Sequence, residues 1–182
     1  MYIAHKLRKD SIAEYLLYMW QVEDVIRAYG CSLSRIRHEY VEKFDYDEEQ
    51  KEELTDWYGN LVTMMNSEGK REGGHLQVNQ IVLQGMTELH GQLLASPNFP
   101  FYSAEYYRVL PFIVELRSKG SRSSGEIETC LAALYGTMLL RLQKKPVSPE
   151  TSHAIKEITT FIGMLSDYYK KDKEEGLKFE EE

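Results

Sequence analysis

The sequence has 182 residues, of which 42% are hydrophobic and 28% charged, with a formal net charge of −7 and a pI near 5.4. This composition is that of an ordinary globular protein, and a chain of this length is expected to form one domain. The acidic balance argues against a nucleic-acid-binding protein, which normally displays a basic face. Two cysteines, Cys31 and Cys130, form neither a disulfide framework nor a zinc motif, which is typical of a cytoplasmic protein.

Neither a membrane anchor nor a signal peptide is predicted. The longest uncharged apolar run, residues 129–140, is shorter than the ~20 residues that span a bilayer. Near the N-terminus, Glu14 interrupts the apolar stretch, and no small-residue cleavage site follows it. The basic residues before it, Lys6, Arg8 and Lys9, predict a solvated chain end rather than a membrane contact.

The stretch Ser11–Tyr29 predicts a helix at the centre of the fold. Ser11 and Glu14 have the spacing of a capping box, and Gly30 suits the left-handed turn that follows a helix. Apolar residues cover most of the circumference of this helix, and such a helix packs against several neighbours. These residues are Ile12, Leu16, Met19, Trp20, Val22 and Ile26.

Glu23 lies in the apolar sector of that helix, where an unpaired carboxylate costs several kcal/mol. Arg27 is four residues later, at the spacing that lets two helical side chains meet. One interpretation is a structural ion pair that fixes how neighbouring helices dock. A second is the polar floor of a ligand pocket, because perturbed ionisable groups gather at functional sites. Simple exposure to solvent is the third.

Start and stop signals predict the other helices in chain order. They cover about residues 32–44, 47–68, 75–95, 103–118, 124–144 and 148–171. Asp45 and Asp47 are both N-cap candidates before an acidic first turn, Ser123 and Glu126 have capping-box spacing, and Ser148-Pro149 is a strong start signal. Residues 1–9 are expected to be a short lead-in, and the charged tail 172–182 is expected to be frayed.

Two of these helices contain unusual features. Pro111 lies inside the fifth predicted helix, so we expect a kink or a break near Tyr107. The uncharged run 129–140 predicts that the sixth helix is a second central one. Within it, Ala132 and Gly136 are one turn apart, which predicts the close approach of a neighbouring backbone.

No segment shows sustained period-two alternation, which would indicate a strand. The sequence therefore predicts an all-α fold, a single-domain antiparallel bundle of six or seven helices over residues 1–182.

The chain contains no motif that identifies a catalytic or metal centre. Two Glu-x-x-His pairs resemble half of a di-iron site, Glu72 with His75 and Glu150 with His153. The first spans a Gly-Gly pair and the second lies in an exposed first turn, so both histidines are interpreted as solvated helix starts. Cys31 is interpreted as a structural or exposed thiol and Cys130 as inert core. We predict no metal, no cofactor and no catalytic residue.

An aromatic segment, residues 98–107, contains more aromatic side chains than one loop and one helical turn normally bury. The five that form a candidate interaction patch are Phe99, Phe101, Tyr102, Tyr106 and Tyr107. Aromatic side chains with polar tips are common at binding surfaces. The alternative is a loop that folds back to cover the end of the bundle.

Three strings carry a resemblance to a known family: IAEYLLYMWQVEDVIRAYG, EIETCLAALYG and RLQKKPVSPET. With them the chain resembles, over essentially its whole length, a bacterial family of small helical proteins catalogued as domain of unknown function 4924. The resemblance implies an all-helical intracellular protein. It implies no activity, substrate or site residue.

Two functions from different classes remain open. The first is a non-enzymatic helical module that binds another protein or a second copy of itself, which the aromatic surplus favours. The second is a small-ligand-binding or enzymatic bundle with a polar site around Glu23 and Arg27. A pocket beside Glu23 with room for a ligand favours the second, and a filled core favours the first.

Overall fold

The computed structural model describes residues 1–120 and 124–179, which form eight α-helices and one 3₁₀ turn and contain no strand. The helices are α1 (Tyr2–Asp10), α2 (Ile12–Ala28), α3 (Leu33–Glu39), α4 (Glu48–Ser67), α5 (Gln77–Ala95), α6 (Pro100–Lys119), α7 (Glu126–Leu142) and α8 (Pro149–Glu175). The predicted all-α fold is confirmed, with eight helices rather than six or seven. Among the described residues, no helix has both the length and the apolar character needed to cross a membrane.

Helix α2 lies at the centre of the bundle, against α1, α4, α5, α7 and α8. Its buried residues lie all around the helix, as its composition predicts. The capping box at its start is only half formed. Ser11 Oγ accepts the Glu14 N–H, but the Ser11 N–H already donates to the Leu7 carbonyl at the end of α1. The Glu14 side chain is therefore not needed to satisfy it.

Residues 1–9 and 172–179 differ from the lead-in and frayed tail expected from the sequence, and residues 180–182 of that tail lie outside the described residues. At the start, α1 is a full helix that packs on α2 through the buried Ala4 and the half-buried Leu7. At the other end, α8 extends to Glu175, and Leu177 and Phe179 then pack against the core. Apolar side chains near each end pack against the bundle, and this packing orders the residues that carry them.

The second predicted helix is shorter than expected. It ends at Glu39 and is followed by a separate 3₁₀ turn, Val41–Lys43. Asp47 then caps α4 as predicted, in a complete capping box with Gln50. Three aromatic side chains, Tyr40, Phe44 and Tyr46, lie in or beside this connection.

Of the two outcomes expected near Tyr107, a kink or a break, the break does not occur, because α6 continues through Pro111. It lies on the exposed side, while Tyr106, Val109 and Ile113 on the opposite side pack into the core. This burial holds the helix together across the missing hydrogen bond. The helix also begins at Pro100 rather than Ser103, because proline is well suited to the first helical position. The predicted cap Ser123 lies outside the described residues.

Helix α7 is not the second central helix that its uncharged run suggests. Only Ile127, Cys130, Leu131 and Thr137 are buried in it. The expected close approach to Ala132 and Gly136 is also wrong, because both are exposed and a Cβ at Gly136 would meet nothing within 4 Å. These small residues instead leave open space beside α2.

Candidate functional site

The Glu23 carboxylate is fully buried in the contact between α2 and the start of α5. It accepts hydrogen bonds from the backbone N–H of Leu76 at 2.9 Å and from the Asn79 side-chain amide at 2.7 Å. Its other oxygen lies 2.7 Å from Nδ1 of His75. Three partners thus replace the water that a buried carboxylate loses, and this makes burial of the charge possible.

These contacts also supply the cap that α5 lacks. Its N-cap residue, Leu76, has no side chain able to accept a hydrogen bond from the first turn. Glu23 accepts the N–H of Leu76 itself, and Glu68 accepts the next one, from Gln77, at 2.7 Å. Carboxylates are favoured at a helix N-terminus, where the dipole is positive. Glu23 therefore fixes the position of α5 on α2.

Arg27 serves mainly to hold the loop that precedes α5. Its Nε donates to the Lys70 carbonyl at 3.1 Å, and Nη2 donates to the Gly74 carbonyl. Nη1 is 2.8 Å from Asp24, whereas the nearest Glu23 oxygen is 4.0 Å away. The predicted ion pair between Glu23 and Arg27 therefore has an N–O distance at the upper limit for such a pair. Both side chains have closer partners elsewhere.

His75 connects the buried Glu23 carboxylate to the surface of the protein. Its ring stacks on Trp20 with a centroid distance of 4.2 Å and an angle of 14°. Trp20 also meets the edge of Tyr135, whose hydroxyl donates to Asp24 at 2.6 Å. The His75 side chain is 30% exposed. Since Nδ1 faces the buried Glu23, the exposed edge of the ring is the one that carries Nε2.

A cleft of about 400 Å³ lies over this edge, between α2, the loop before α5 and the exposed side of α7. Its walls include four positions with little or no side chain, Gly73, Gly74, Ala132 and Gly136. Because these positions carry little or no side chain, the space between α2 and α7 remains open to solvent. It lies beside His75 and not directly against Glu23, so the carboxylate reaches it only through the imidazole.

The charges around the cleft are mostly negative. Among the residues that the structure describes, Asp24, Glu72 and Glu128 line it, against the single guanidinium of Arg27. Burial, together with the hydrogen bond to Asp24, raises the pKa of Tyr135, so its hydroxyl remains a neutral donor. The site thus combines an imidazole edge, carboxylates and a phenol around an accessible space.

The five residues of the predicted aromatic patch do not share one surface. Tyr102 and Tyr106 are buried, and Phe99 is half-buried against Tyr168 and Phe179. Only Phe101, 80% exposed, and Tyr107, 66% exposed, face solvent. Most of the segment belongs to α6, and its buried rings pack into the core instead of forming one exposed patch.

A second buried polar cluster lies between α5, α6 and α7. His90 Nδ1 is 2.7 Å from the Tyr102 hydroxyl, and its Nε2 is 3.6 Å from a Glu126 oxygen that also accepts from Tyr106 at 2.9 Å. Burial lowers the pKa of His90, although Glu126 acts in the opposite direction. Burial also raises the pKa of Cys130 to about 12, which makes this thiol inert as predicted.

Neither Glu-x-x-His pair forms part of a metal cluster. Among the described residues, no three His, Cys, Asp or Glu side chains are grouped so that they would hold a metal ion. His153 is exposed and touches Phe112 edge-on. The interpretation of His75 as a solvated helix start is wrong, because it lies before α5 and is held by Glu23 and Trp20.

Sequence reasoning identified Glu23 but missed His75, Asn79 and Tyr135. His75 and Asn79 lie 52 and 56 residues after Glu23, and Tyr135 lies 111 residues after its partner Asp24, so no local spacing connects them. One signal was available: a buried carboxylate requires donors, and His75 and Asn79 lie at a predicted helix start, where donors are unsatisfied.

The fold and the site together define a class, a helical bundle in which a buried carboxylate contacts a partly exposed imidazole beside an open acidic cleft. The sequence profile of one family, described as Domain of unknown function (DUF4924), matches residues 1–176. The chain belongs to this family. No curated protein and no solved structure matches it.

Replacing Glu23 tests the structural role of its carboxylate. Glu23→Ala leaves the Asn79 amide, the Leu76 N–H and His75 without their acceptor, and such a break costs about 3–5 kcal/mol. We expect a large fall in the free energy of unfolding, measured with urea. Glu14→Ala, an exposed control on the same helix, is expected to cost less than about 0.5 kcal/mol. A Glu23→Ala protein as stable as the wild type would contradict the structural role.

The His90 cluster predicts a pH dependence of stability. Because burial lowers the pKa of His90, the folded state binds this proton less readily than the unfolded state, whose histidine has a pKa of about 6.5. The stability that His90 contributes is therefore present above that pH and is lost as the pH falls below it. We expect His90→Gln to lose less stability than the wild type between about pH 7 and pH 5. Equal losses in chemical denaturation would show that Glu126 offsets the burial.

Proposed function

We propose that this protein binds a small polar molecule in the cleft over His75. The observation that carries the proposal is the 2.7 Å contact between Glu23 and His75 Nδ1, which leaves the Nε2 edge at the cleft. A carboxylate on one ring nitrogen fixes the tautomer and orientation of an imidazole. Nε2 is then held in place to accept a proton from a bound molecule or, when protonated, to donate one.

The charges favour a ligand with an amine or another strong hydrogen-bond donor. Asp24, Glu72 and Glu128 provide acceptors around the cleft. The donors of Arg27 are occupied by the loop carbonyls and by Asp24, which leaves it poorly placed to bind an anion. Trp20 and Tyr135 supply aromatic surface beside the polar groups. A small amine or amino-acid-like molecule fits this combination.

Ligand binding is tested by NMR with isotopically labelled protein and a panel of water-soluble amines, amino acids and carboxylic acids. We expect amines to shift the resonances of His75, Trp20 and Tyr135, and carboxylic acids without an amine to leave them unchanged. Replacement of His75 by Gln is expected to weaken binding by about tenfold, the value of one lost charge-assisted hydrogen bond. If no amine shifts these resonances, or if His75→Gln binds as well as the wild type, the proposal is wrong.

Gly136 offers a matched control that leaves His75 untouched. A side chain at this position extends into open space, so Gly136→Leu is expected to fill the cleft and abolish binding. Gly136→Ala occupies much less of it and is expected to raise stability by about 0.5–1 kcal/mol, since alanine is the better helix former. Unchanged binding in Gly136→Leu would place the ligand elsewhere.

A second candidate function is self-association through α6. Tyr107, Pro111 and Val114 form an exposed apolar stripe, with Tyr107 66% and Val114 59% exposed. Two copies of α6 paired antiparallel about a point between Pro111 and Phe112 place Arg108 of one opposite Glu115 of the other. Within its own chain, Arg108 is also paired with Glu105 and Glu157. This charge complementarity favours a second copy of the chain over an unrelated partner.

Sedimentation velocity over a range of protein concentrations tests this pairing. The wild type is expected to show a dimer that Val114→Lys abolishes, because it places a charge in the apolar stripe. Ile81→Lys, at an apolar position on α5 that is 61% exposed, is the control and should leave the dimer intact. A wild type that is monomeric at every concentration, or a dimer lost equally in both variants, would contradict the pairing.

The cellular setting is part of the same proposal. We place the protein in a bacterial cytoplasm and expect no binding to nucleic acid. Both cysteines are free and buried, which agrees with a reducing compartment. The net charge of −7 disfavours contact with phosphate backbones.

A further inference from the structure

A group of aromatic side chains surrounds a small cavity at the junction of α1, α2, α4 and the connection after α3. We call Tyr18, Tyr40, Phe44, Tyr46 and Tyr58 the aromatic cage. The cavity has a volume of about 120 Å³. It shares no lining residue with the cleft over His75, so it is a separate feature of the molecule.

The rings of the cage approach the cavity from different directions. Tyr40 meets Phe44 at 5.2 Å with an angle of 78°, and meets Tyr58 at 5.8 Å with an angle of 86°. Tyr46 stacks on Phe44 at 5.4 Å and 19°, which extends that wall outwards. A group that enters the cavity therefore contacts several rings that are not parallel to one another.

The electrostatic surroundings of the cage favour a positive charge. None of its lining residues is a lysine or an arginine. Tyr2, which also lines the cavity, donates to Glu53, and the carboxylates of Asp47 and Glu49 are close enough to raise its pKa further. Lys51 does not line the cavity, and its ammonium group is paired with Glu42 at 3.1 Å and with Glu48 at 3.5 Å. Acidic groups thus lie beside the cavity without a competing side-chain cation in it.

The phenols of Tyr18 and Tyr58 remain neutral because they are buried. Burial raises the pKa of Tyr18 to about 12, and it raises the pKa of Tyr58 as well. The amino group of Met1, at the edge of the cavity, has a pKa that burial lowers. A lowered pKa disfavours the charged form of this amino group, so it competes less well than a permanent cation for the aromatic faces.

The size of the cavity limits what it can hold. An apolar cavity of about 150 Å³ accepts benzene, so the space here suits a compact group of similar or slightly smaller size. Aromatic faces attract cations through the ring quadrupole, most strongly when water is excluded. Methylated ammonium groups combine a positive charge with an apolar surface, and both properties match the rings and the acidic surroundings.

We propose that the aromatic cage binds a small quaternary ammonium group, one that carries methyl substituents on nitrogen. The group enters past Tyr46, the most exposed ring of the cage at 37%, and its methyl groups contact Tyr40, Phe44 and Tyr58. Binding is noncovalent and requires no change of protonation.

Isothermal titration with choline tests the proposal against a neutral molecule of the same shape. In 3,3-dimethyl-1-butanol a carbon replaces the charged nitrogen, so both ligands fill the cavity equally. We expect choline to bind saturably and the alcohol to bind about tenfold more weakly or worse, the difference expected of a desolvated cation–π contact. Sodium chloride at matched concentration controls for ionic strength.

A pair of variants locates the site without disturbing the core. Tyr46→Leu removes one ring while it keeps an apolar side chain, and should weaken choline binding. Tyr46→Phe keeps the ring and should not. NMR shifts on choline addition are expected at Phe44 and Tyr58 and not at His75.

Four results would overturn the proposal. They are an absence of saturable choline binding, equal affinity for the alcohol, unchanged affinity in Tyr46→Leu, and choline shifts confined to the cleft over His75. The second would identify a merely apolar cavity, and the last would assign the ammonium group to the other site.

Discussion

The structure depends on the burial of one charge. Glu23 lies in the apolar sector of the central helix, where an isolated carboxylate would be strongly destabilising. Three hydrogen-bond partners compensate for that burial. The N-terminus of α5 is directed at it, Asn79 contributes an amide, and His75 is folded over it from the preceding loop. The position of α5 and the shape of the nearby cleft both follow from where these donors must be.

Such a buried polar centre is a specific rather than a strong means of stabilisation. A well-packed apolar side chain at position 23 would contribute as much to stability, but it would not determine how α5 begins or where the loop lies. Arg27 completes the arrangement by binding two loop carbonyls. The loop contains Gly73 and Gly74, whose lack of side chains leaves the cleft open next to the imidazole. The same loop therefore determines both the position of the His75 imidazole and its access to solvent.

Local patterns predicted most of the fold. The apolar circumference of α2, the aspartate cap and acidic first turn of α4, and the Ser148-Pro149 start of α8 were each sufficient to locate a helix. The errors arose where tertiary packing overrode a local signal. Pro111 remains helical because the opposite side of α6 is buried, and α1 is ordered by its contact with α2. The uncharged run in α7 was misinterpreted because lack of charge does not require burial.

The candidate site was only half predictable. The wheel position of Glu23 showed that a carboxylate would be buried, and burial required partners, but Arg27 was the only partner within local range. His75 and Asn79 come from a helix start about fifty residues later, and Tyr135 from still farther along the chain. The aromatic segment 98–107 attracted attention by its composition. The aromatic cage did not, because its rings come from three separate parts of the sequence, α2, the connection after α3, and α4.

The central claim is that ionised Glu23 accepts a hydrogen bond from Nδ1 of His75 and thereby sets the state of the imidazole. Long-range ¹H–¹⁵N NMR correlations of the His75 ring report directly which nitrogen carries a proton. The account predicts that Nδ1 is protonated in the wild type at neutral pH and that its resonance changes in Glu23→Ala. An unprotonated Nδ1 in the wild type would contradict it, since the carboxylate would then have to be the donor.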